Sequence, residues 1–562
     1  MRSFRSLKSI LMQTKVMNYR ENFEKWLASP MLTAEEKAEL SSLPEKEIED
    51  RFYRDLSFGT GGLRGVMAVG ANRMNLCTVR RAAEGVAREL LASGSAISDR
   101  GVVIGYDSRN RSADFARASA EVLSSFGIKA YLFDTLCPTP EVSFAVRHLG
   151  CARGIVITAS HNPKEYNGFK VYDEEGTQIA PTLADRILSF IRSVPLPSCS
   201  YGAIRADLIR SVGDGVHAAY RESVLAERLG VQIPKGLRIL YTPLHGAGLC
   251  PVLEVLSALG IEVSVVEKQR EPNGDFPTVK SPNPENHEAF DLAIEYAKKH
   301  PVDLILGTDP DSDRLGLVVP EKDGSFTLLN GNQTGVLLAE LILRKTKEKG
   351  MPAHPRIVKT VVTTELVRRI ADAYGARTED VLTGFKYIGD KIKEYESEGK
   401  TFLFGLEESY GYLKGTYARD KDAVVAAMLA AELCADCKAE GISVSERLRA
   451  LYERYGYSKE RLLSFTLKGI EGNARILSIM QKLRGIDALE NEKERMDFLA
   501  GVDGLPKSDV LKFVLKDGWI AVRPSGTEPK IKFYLAADGK TEAECDKRLG
   551  ALSAWVDDLM NS

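Results

Sequence analysis

The sequence contains no long apolar run. Apolar residues fill 44% of its 562 positions, but no segment approaches the ~20 residues that a membrane-spanning helix needs. The basic stretch 1–20 also lacks the sustained apolar core of a secretory signal. We therefore predict a cytoplasmic protein. Its first residues are interpreted as a frayed extension, or as the result of a start codon upstream of Met12 or Met17, with an organellar presequence as the alternative.

An excess of charge of either sign is also absent. The 76 Lys and Arg residues nearly balance the 78 Asp and Glu residues, and the net charge is −2. Nucleic acid and acidic membrane surfaces are therefore not expected partners. A local positive cleft for small phosphorylated molecules remains compatible with this balance.

Cysteines are few and scattered, which argues against a disulfide framework and predicts free thiols in a reducing compartment. The sequence has eight of them: Cys77, Cys137, Cys151, Cys199, Cys250, Cys434, Cys437 and Cys545. Cys434 and Cys437 form a single CxxC pair. Tetrahedral zinc needs further ligands, so we interpret this pair as ordinary helix residues.

Two common motifs for phosphates and cations are missing as well. The glycine-rich segment Phe58–Gly65 does not match the nucleotide-binding pattern GxxxxGK[ST]. The acidic segment that begins at Asp309 is not an EF-hand, because Arg314 and Pro320 stand where that loop needs glycine and glutamate.

The chain does contain a repeated alternation of short apolar strands and amphipathic helices. Three rounds begin near residues 101, 237 and 356, and the rhythm changes near Tyr455. We predict an α/β fold with three similar mixed-sheet domains and a smaller C-terminal α+β domain. The predicted boundaries are an N-terminal extension at 1–45 and domains at 46–208, 209–325, 326–456 and 457–562.

Ser160 lies in the segment Thr158–Pro163, directly after the apolar run Gly154–Ile157. That run predicts a buried strand. The carboxyl end of a strand is where α/β proteins build their sites. The sequence therefore predicts a serine nucleophile at this position, with His161 orienting or assisting it.

Asp309, Asp311 and Asp313 offer carboxylates at alternate positions. Carboxylates that converge in one loop repel each other unless a cation lies among them, and ligands made only of oxygen favour magnesium. We predict a Mg²⁺ site formed by these residues, with Arg314 as a charge partner or phosphate contact.

Two further segments carry polar groups suited to a phosphorylated sugar. Arg523 and Ser525, with Gly526, Thr527 and nearby Lys530, predict a cup for phosphate oxygens. Glu407 and Ser409 lie in the segment Gly405–Gly411, where carboxylate and hydroxyl groups suit sugar hydroxyls.

These motifs, in this order from about Tyr53 to about Ala536, resemble those of the α-D-phosphohexomutases, the phosphoglucomutase/phosphomannomutase superfamily. The resemblance implies four domains around a central cleft. It also implies that Ser160 is phosphorylated in the resting enzyme, so that a phosphoserine oxygen of Ser160 joins the three aspartates as a ligand of the Mg²⁺. Glu407 and Ser409 would bind the hexose at O3 and O4, Arg64 would lie near the transferring phosphate, and Lys386 would belong to a second sugar-recognition loop, 384–389. The segment Thr242–Gly246 also resembles a family loop and is given a supporting role.

The proton carrier is less clearly defined by the resemblance. The phosphomannomutase branch has Gly-Glu-x-Ser-Gly-His, whereas Gly411 stands here in place of the histidine. The segment Arg419–Ala423 resembles the glucose-type branch, in which a lysine is the candidate. We favour Lys421 as general acid and base, with Lys170 as the alternative. Either lysine needs a lowered pKa to act as a base near neutrality.

The resemblance implies a magnesium-dependent mutase that interconverts glucose 1-phosphate and glucose 6-phosphate through glucose 1,6-bisphosphate, and that also accepts mannose phosphates. Within the family, phosphopentomutase or glucose-1,6-bisphosphate synthase activity is the alternative. Two alternatives come from other functional classes: a sugar-phosphate phosphatase and a non-catalytic sugar-phosphate binding protein.

Overall fold

The computed structural model describes residues 18–59, 62–197, 201–467, 469–502, 504–525 and 530–561. The chain divides into two compact units. One comprises the chain up to Cys137 together with Ala145–Asp214, and the other comprises Pro138–Phe144 together with the chain from Gly215. Among the described residues, one β-sheet lies in the first unit and three β-sheets lie in the second. Of the basic stretch 1–20, interpreted as a frayed extension, residues 1–17 lie outside the described residues, as does Cys199.

The first unit opens with helices α1 (Tyr19–Ala28), α2 (Ala34–Ser41) and α3 (Glu45–Phe52). Each helix buries one apolar side, and Trp26 and Phe52 are completely buried. They pack in a cluster with Val69, Ala71 and Cys77. This packing fixes the segment that follows the first strand of the unit.

The sheet of the first domain has parallel strands in its centre and antiparallel strands at one edge. Its strand order is β1-β5-β4-β2-β3-β6. Strands β2, β3, β4 and β6 run parallel, whereas β5 pairs antiparallel with both β4 and β1. The elements are β1 (Gly62–Val66), α4 (Leu76–Ala92), α5 (Ser95–Ser98), β2 (Val102–Tyr106), α6 (Ser112–Ser125), β3 (Ala130–Phe133), α7 (Thr139–His148), β4 (Arg153–Ile157), β5 (Tyr166–Tyr172), α8 (Pro181–Ser193), a 3₁₀ helix (Ala206–Leu208) and β6 (Ile209–Val212).

The second domain, the first of the second unit, has the strand order β11-β10-β9-β7-β8. Strand β7 runs parallel to β8 and β9, and β9, β10 and β11 form antiparallel hairpins. The elements are α9 (Asp214–Ala226), β7 (Ile239–Thr242), α10 (Leu249–Ala258), β8 (Val263–Val265), α11 (Glu267–Arg270), a 3₁₀ helix (His287–Phe290), α12 (Asp291–Lys299), β9 (Leu304–Thr308), β10 (Leu315–Pro320) and β11 (Phe326–Leu329).

The third domain has the strand order β13-β12-β14-β15, with only the last pair antiparallel. Helix α16 is buried from Ala423 to Cys437, as expected for a helix that is apolar on all sides. Cys434 and Cys437 lie in it as buried free thiols. The elements are α13 (Gly331–Lys349), β12 (Pro355–Thr360), α14 (Leu366–Tyr374), β13 (Arg377–Val381), α15 (Phe385–Glu398), β14 (Thr401–Glu407), β15 (Gly411–Leu413), α16 (Ala423–Ala439) and α17 (Val444–Tyr455).

The C-terminal domain has an antiparallel sheet with the order β16-β20-β19-β18-β17 and two helices that pack on it. The elements are β16 (Tyr457–Thr466), α18 (Gly469–Gly485), β17 (Glu492–Asp497), β18 (Leu511–Leu515), β19 (Gly518–Pro524), β20 (Lys530–Gly539) and α19 (Glu542–Asn561). Three mixed-sheet α/β domains followed by a smaller α+β domain confirm the predicted fold class.

Candidate active site

Ser160 lies in the loop that follows β4, as the sequence predicts. Its φ is +52°, a value that residues with a Cβ rarely adopt. The Ser160 N–H donates to Thr158 Oγ1 at 2.7 Å. The Ser160 Oγ lies 3.2 Å from His161 Nδ1, within reach of the general-base contact that activates a serine.

Arg64 and Lys170 lie on strands of the same sheet as this loop. In the antiparallel pairing of β1 with β5, Arg64 is opposite Gly168. The exposed Arg64 side chain donates from Nη1 to Asn162 Oδ1 at 3.1 Å. The structure thus brings Arg64 to the Ser160 loop. Lys170 is buried on β5, opposite Val156 of β4.

The three predicted metal ligands lie together in the second unit, in the hairpin loop between β9 and β10. One carboxylate oxygen of each of Asp309, Asp311 and Asp313 lies within 4.8 Å of the others, and all three residues are buried. Burial and the two neighbouring carboxylates raise the pKa of Asp309 well above its ordinary value. A buried group of oxygen donors with mutual repulsion fits a hard cation such as Mg²⁺.

The backbone of this metal loop is held from three other segments. Ala247 N–H donates to Pro310 O at 2.8 Å, and Thr139 N–H donates to Asp311 O at 2.8 Å. Thr139 also donates its hydroxyl to Asp311 Oδ2 at 2.8 Å. The Ala423 N–H donates to the carbonyl of Ser312, whose φ is +51°. Sequence reasoning missed Thr139, because no spacing rule connects it to a loop about 170 residues later.

The family-like segment Thr242–Gly246 lies directly behind the metal loop. A Cβ at Gly246 would lie 2.4 Å from Pro310 Cα, so only glycine permits this approach. The His245 ring is engaged by Glu271 O at 3.0 Å and by Thr278 Oγ1 at 2.9 Å. Burial lowers its pKa. These contacts are consistent with the predicted supporting role.

Arg314 is a charge partner within this loop. It forms ion pairs with Glu285 and, at 3.8 Å, with Asp313. Burial by itself lowers the pKa of Arg314, but Glu285, Asp313 and Asp309 outweigh it and raise the pKa above its usual value. The guanidinium therefore offsets part of the negative charge of the Asp cluster.

The predicted sugar-binding segment forms the tight connection between β14 and β15. Glu407 is opposite Gly411 in that pairing, and its buried carboxylate accepts the Gly384 N–H at 2.9 Å. Burial is the main cause that raises the pKa of Glu407 to about 7. Ser409 is partly exposed. The carbonyl of Tyr410, whose φ is +66°, accepts the Leu315 N–H at 3.1 Å, which links this loop to the strand after the metal loop.

Lys421 lies between the metal loop and the sugar-binding segment. Its Nζ is 2.9 Å from Asp313 Oδ2 and 3.4 Å from Asp420 Oδ1. The lowered pKa that a general base needs near neutrality is not found at this lysine. Burial by itself lowers the pKa of Lys421, but Asp313, Asp420 and Glu407 outweigh burial and raise it above its usual range. These contacts favour the protonated ammonium.

The glycine at position 411 is explained by the same lysine. A Cβ at Gly411 would lie 2.5 Å from Lys421 Cδ and 3.4 Å from Glu407 Oε2. The lysine side chain therefore fills the space beside Glu407, where the phosphomannomutase-type motif carries a histidine. A histidine side chain at position 411 would clash with Lys421 in its observed position.

Lys386 and Arg523 form a basic region across the third and C-terminal domains. The segment predicted as a recognition loop is instead the first turn of helix α15, which begins at Phe385 after Gly384 (φ +124°). Burial, together with the nearby charge of Arg523, lowers the pKa of Lys386. Burial, Lys530 and Arg523 likewise lower the pKa of Lys532 on β20. Concentrated positive charge of this kind suits a phosphate.

Arg523 lies near the end of β19, and Ser525 follows that strand. The Ser525 N–H donates to Lys530 O at 2.7 Å and so joins the end of β19 to the start of β20. The predicted phosphate-cup residues Gly526 and Thr527 lie outside the described residues.

The matching family models assign the chain. The models for phosphoglucomutase/phosphomannomutase α/β/α domains I, II and III match residues 55–196, 218–324 and 330–455, and the model for the C-terminal domain matches residues 479–549. The chain belongs to the phosphoglucomutase/phosphomannomutase family. As a member, it is an enzyme of the phosphohexomutase class, as the motifs predicted.

Curated relatives of this family align over nearly the whole chain. The phosphoglucomutase of Staphylococcus saprophyticus is 38% identical over 516 residues, which cover 88% of this chain and 92% of the relative. The phosphoglucomutase of Staphylococcus aureus strain MRSA252 is 36% identical over 515 residues, with the same coverage.

Solved structures support the same fold. A phosphoglucomutase/phosphomannomutase family protein from Burkholderia thailandensis has a TM-score of 0.68 at 20% identity and covers 90% of this chain and 97% of its own. The pp63/parafusin phosphoglucomutase of Paramecium, in an open form, has a TM-score of 0.67 at 17% identity and covers 91% and 96%. Within the described residues, no helix is long and apolar enough to cross a membrane.

Proposed function

We propose that the chain is a magnesium-dependent phosphoglucomutase that interconverts glucose 1-phosphate and glucose 6-phosphate, with Ser160 as the phosphate carrier. The observation that carries this proposal is the conformation of Ser160. Its hydroxyl lies beside the His161 ring, on a strained backbone at a strand end, in a family whose curated members include phosphoglucomutases. Strain of this kind marks sites at which function requires one geometry.

The proposed reaction moves one phosphoryl group in each of two transfers. Starting from glucose 1-phosphate, the sugar O6 forms a bond to the phosphorus of phosphoserine 160, the P–Oγ bond breaks, and glucose 1,6-bisphosphate results. After the bisphosphate reverses its orientation, Ser160 Oγ attacks the phosphorus at C1. The P–O1 bond breaks, and glucose 6-phosphate leaves. The second transfer restores the phosphoserine.

The proposed proton carrier is Lys421, with Lys170 as the alternative. Each transfer takes a proton from the attacking hydroxyl and returns one to the leaving oxygen. Because the carboxylates around Lys421 hold its ammonium form, Lys421 is proposed to give its proton to the leaving oxygen and to take up the proton of the attacking hydroxyl, so that it ends each transfer protonated. The side chain of Lys421 lies beside Glu407, the proposed sugar ligand.

Asp309, Asp311 and Asp313 would hold the Mg²⁺, with an oxygen of phosphoserine 160 as a further proposed ligand. When bound, the cation supplies positive charge that stabilises the phosphoryl group in transfer. Glu407 and Ser409 are proposed to bind the sugar at O3 and O4. Arg523 and Ser525, with Lys386, are proposed to hold the phosphate that does not react. Arg64 is proposed to act near the reacting phosphate.

Substrate choice follows from which hydroxyls are held. Ligands at O3 and O4 leave C2 unconstrained, so mannose phosphates are proposed as additional substrates. Initial rates on glucose, mannose and ribose 1-phosphates, each with its bisphosphate activator, rank these sugars. A preference for ribose 1-phosphate would favour the phosphopentomutase alternative.

The test of the proposal is Ser160→Ala. We expect no mutase turnover from this variant, and we expect intact-mass analysis of the wild-type enzyme to show one labile phosphate on Ser160. Ser119→Ala is the matched control, because it removes another buried hydroxyl of the first unit, one that donates to Phe115 O at 2.7 Å within helix α6. Full turnover by Ser160→Ala would refute the proposal.

A further inference from the structure

A buried network of side chains lies beneath the Ser160 loop, and the proposed chemistry does not use it. It consists of Asp107 and Arg109, which follow β2, and Thr158, which follows β4. We propose that this network is a positioning device that holds the backbone of Ser160 in its reactive conformation. The inference rests on the proposed role of Ser160 as phosphate carrier.

The backbone of Ser160 is held on both of its sides. Its N–H donates to Thr158 Oγ1 at 2.7 Å, and its carbonyl accepts from Arg109 Nη2. A residue with a Cβ leaves the region around φ +52° unless its surroundings hold it there. Two side chains from other positions therefore fix the peptide groups before and after Ser160.

The Arg109 guanidinium binds several carbonyls of the same loop. Nη1 donates to Pro163 O at 2.9 Å and to Tyr166 O at 3.1 Å. Nη2 donates to Asn162 O as well as to Ser160 O. Only the planar fork of arginine presents donors in this arrangement, and a lysine ammonium cannot replace it. The loop 160–166 is thus wrapped around one buried cation.

Asp107 fixes the direction of the hydrogen bonds. Its Oδ2 accepts the Thr158 hydroxyl at 2.6 Å and lies 3.3 Å from Arg109 Nε. Its Oδ1 accepts the Ser112 hydroxyl at 2.8 Å and the Arg109 N–H at 3.0 Å. A carboxylate only accepts, so the Thr158 hydrogen points to Asp107 and leaves a lone pair for the Ser160 N–H.

The network should act on the transfer step rather than on sugar binding. None of its three residues belongs to the proposed sugar or phosphate ligands. If it is broken, Ser160 relaxes toward a negative φ and its Oγ moves. A displacement of about 1 Å from the reactive geometry can cost on the order of a hundredfold in rate. A purely structural role would instead lower stability and leave kcat of the folded fraction unchanged.

Thr158→Val and Thr158→Ser form the first test pair. Valine has the shape of threonine without its hydroxyl, whereas serine retains the Oγ. We expect Thr158→Val to lower kcat by roughly a hundredfold, the scale of loss for misplaced reacting groups, and to change KM by less than about threefold. Thr158→Ser should restore most of the rate. The same loss should appear in the single-turnover transfer of phosphate from phosphoserine 160 to glucose 1-phosphate, followed by quenching and intact mass.

Arg109→Met and Arg153→Met form the second pair. Arg153 is a buried arginine at the opposite end of β4, where it donates to Ala152 O at 2.6 Å and pairs with Glu89. We expect Arg109→Met to lower kcat as Thr158→Val does, and Arg153→Met to lower stability without this loss of kcat. If Arg109→Met does not fold, the Thr158 pair decides the question.

The outcomes separate this inference from the proposed function. Turnover by Ser160→Ala, with no phosphate on wild-type Ser160, would remove the proposed function and the inference together. The positioning role alone would be overturned by a different set of results. In that case Ser160 is phosphorylated and Ser160→Ala is inactive, but Thr158→Val or folded Arg109→Met keeps the wild-type kcat. Equal losses in Thr158→Ser and Thr158→Val would also overturn it, because the hydroxyl would then not matter.

Discussion

Ser160, Ser312 and Tyr410 carry side chains and yet have positive φ values of 52°, 51° and 66°. Each lies in a different predicted loop: the nucleophile, the metal and the sugar loop. Residue types and spacing identified these loops in the sequence. Their backbone conformations could not be predicted, because distant groups such as Arg109 and the Ala423 N–H hold them.

At the residue scale, the sequence also misjudged the electrostatics of Lys421. The role of general base requires a lysine whose pKa is lowered. The fold instead places Lys421 beside Asp313, Asp420 and Glu407, which favour the charged form. Spacing along the chain cannot predict this environment, since Asp313 and Lys421 come from different domains of the second unit.

Arg523→Ala is predicted to raise KM for the sugar phosphate more than it lowers kcat. The non-reacting phosphate would be held equally in the ground and transition states, so its loss affects binding. A lost charge-assisted hydrogen bond costs about 1.5–3 kcal/mol. Steady-state kinetics measure how the loss divides between KM and kcat. The control is Arg461→Ala, because Arg461 is an exposed arginine of the same sheet that donates to Ser553 Oγ. An unchanged KM in Arg523→Ala would contradict the assignment.

Glu407→Gln is predicted to become more stable relative to wild type as pH rises from about 4.5 to about 7. The Glu407 pKa is raised to about 7, mainly by burial, from an ordinary value of 4.5. In this window the native state keeps a proton that the unfolded state has released, so the wild-type free energy of unfolding falls with rising pH. Glutamine does not titrate, so it adds no such pH dependence to the free energy of unfolding, and its Oε1 can still accept the Gly384 N–H.

Thermal unfolding midpoints of wild type and Glu407→Gln between pH 4.5 and 8 measure this difference. Glu222→Gln, which changes an exposed carboxylate of the second unit, is the control and should show no comparable trend. A constant difference between wild type and Glu407→Gln across this range would show that the Glu407 carboxylate has no raised pKa.

At the scale of elements, the central strands of the sheets could be predicted from the sequence, whereas the start of helix α15 could not. The first predicted round begins near residue 101, where the structure has β2, and β3 follows after helix α6. Such strands can be recognised because buried parallel strands are apolar along their length. Segment 384–389 was interpreted as a loop but begins helix α15. That interpretation came from the family resemblance. In the structure Gly384 lies directly before the helix, whose apolar face buries Phe385, Ile388 and Ile392.

Gly246→Ala is predicted to weaken Mg²⁺ binding by displacing the metal loop. The added Cβ would lie 2.4 Å from Pro310 Cα, and backbone atoms on both sides must move. Loss of support behind metal ligands typically costs about 10- to 100-fold in affinity. The Mg²⁺ dependence of turnover after EDTA treatment measures the effect.

Gly215→Ala in helix α9 is the matched control for Gly246→Ala, since nothing lies within 4 Å of the Cβ that it adds. It should leave the Mg²⁺ dependence unchanged. Equal Mg²⁺ dependence in Gly246→Ala and wild type would mean that the metal loop does not rely on this support.

At the scale of the whole molecule, the repeated strand–helix rhythm predicted the number and class of the domains. It did not predict how the third and C-terminal domains share a core. Val361, Val362 and Leu382 of the third domain pack with Trp519 and Phe498 of the C-terminal domain. The buried Lys359 and Lys512 flank the same region, and both pair with Glu365. These contacts between the two domains depend on loops at the ends of strands. Loop residues follow no periodic pattern, so the sequence could not predict the contacts.

The shared core predicts that the third and C-terminal domains unfold together. Val362→Ala should therefore lower the protection of strands β18 and β19 in the C-terminal domain, as measured by hydrogen exchange. The loss of two buried methyl groups costs about 1.6 kcal/mol, at about 0.8 kcal/mol each. Val171→Ala, which truncates a buried valine in the core of the first domain, is the matched control and should leave β18 and β19 protected. If Val362→Ala speeds exchange only in the third domain, the two domains unfold independently and the shared core does not couple them.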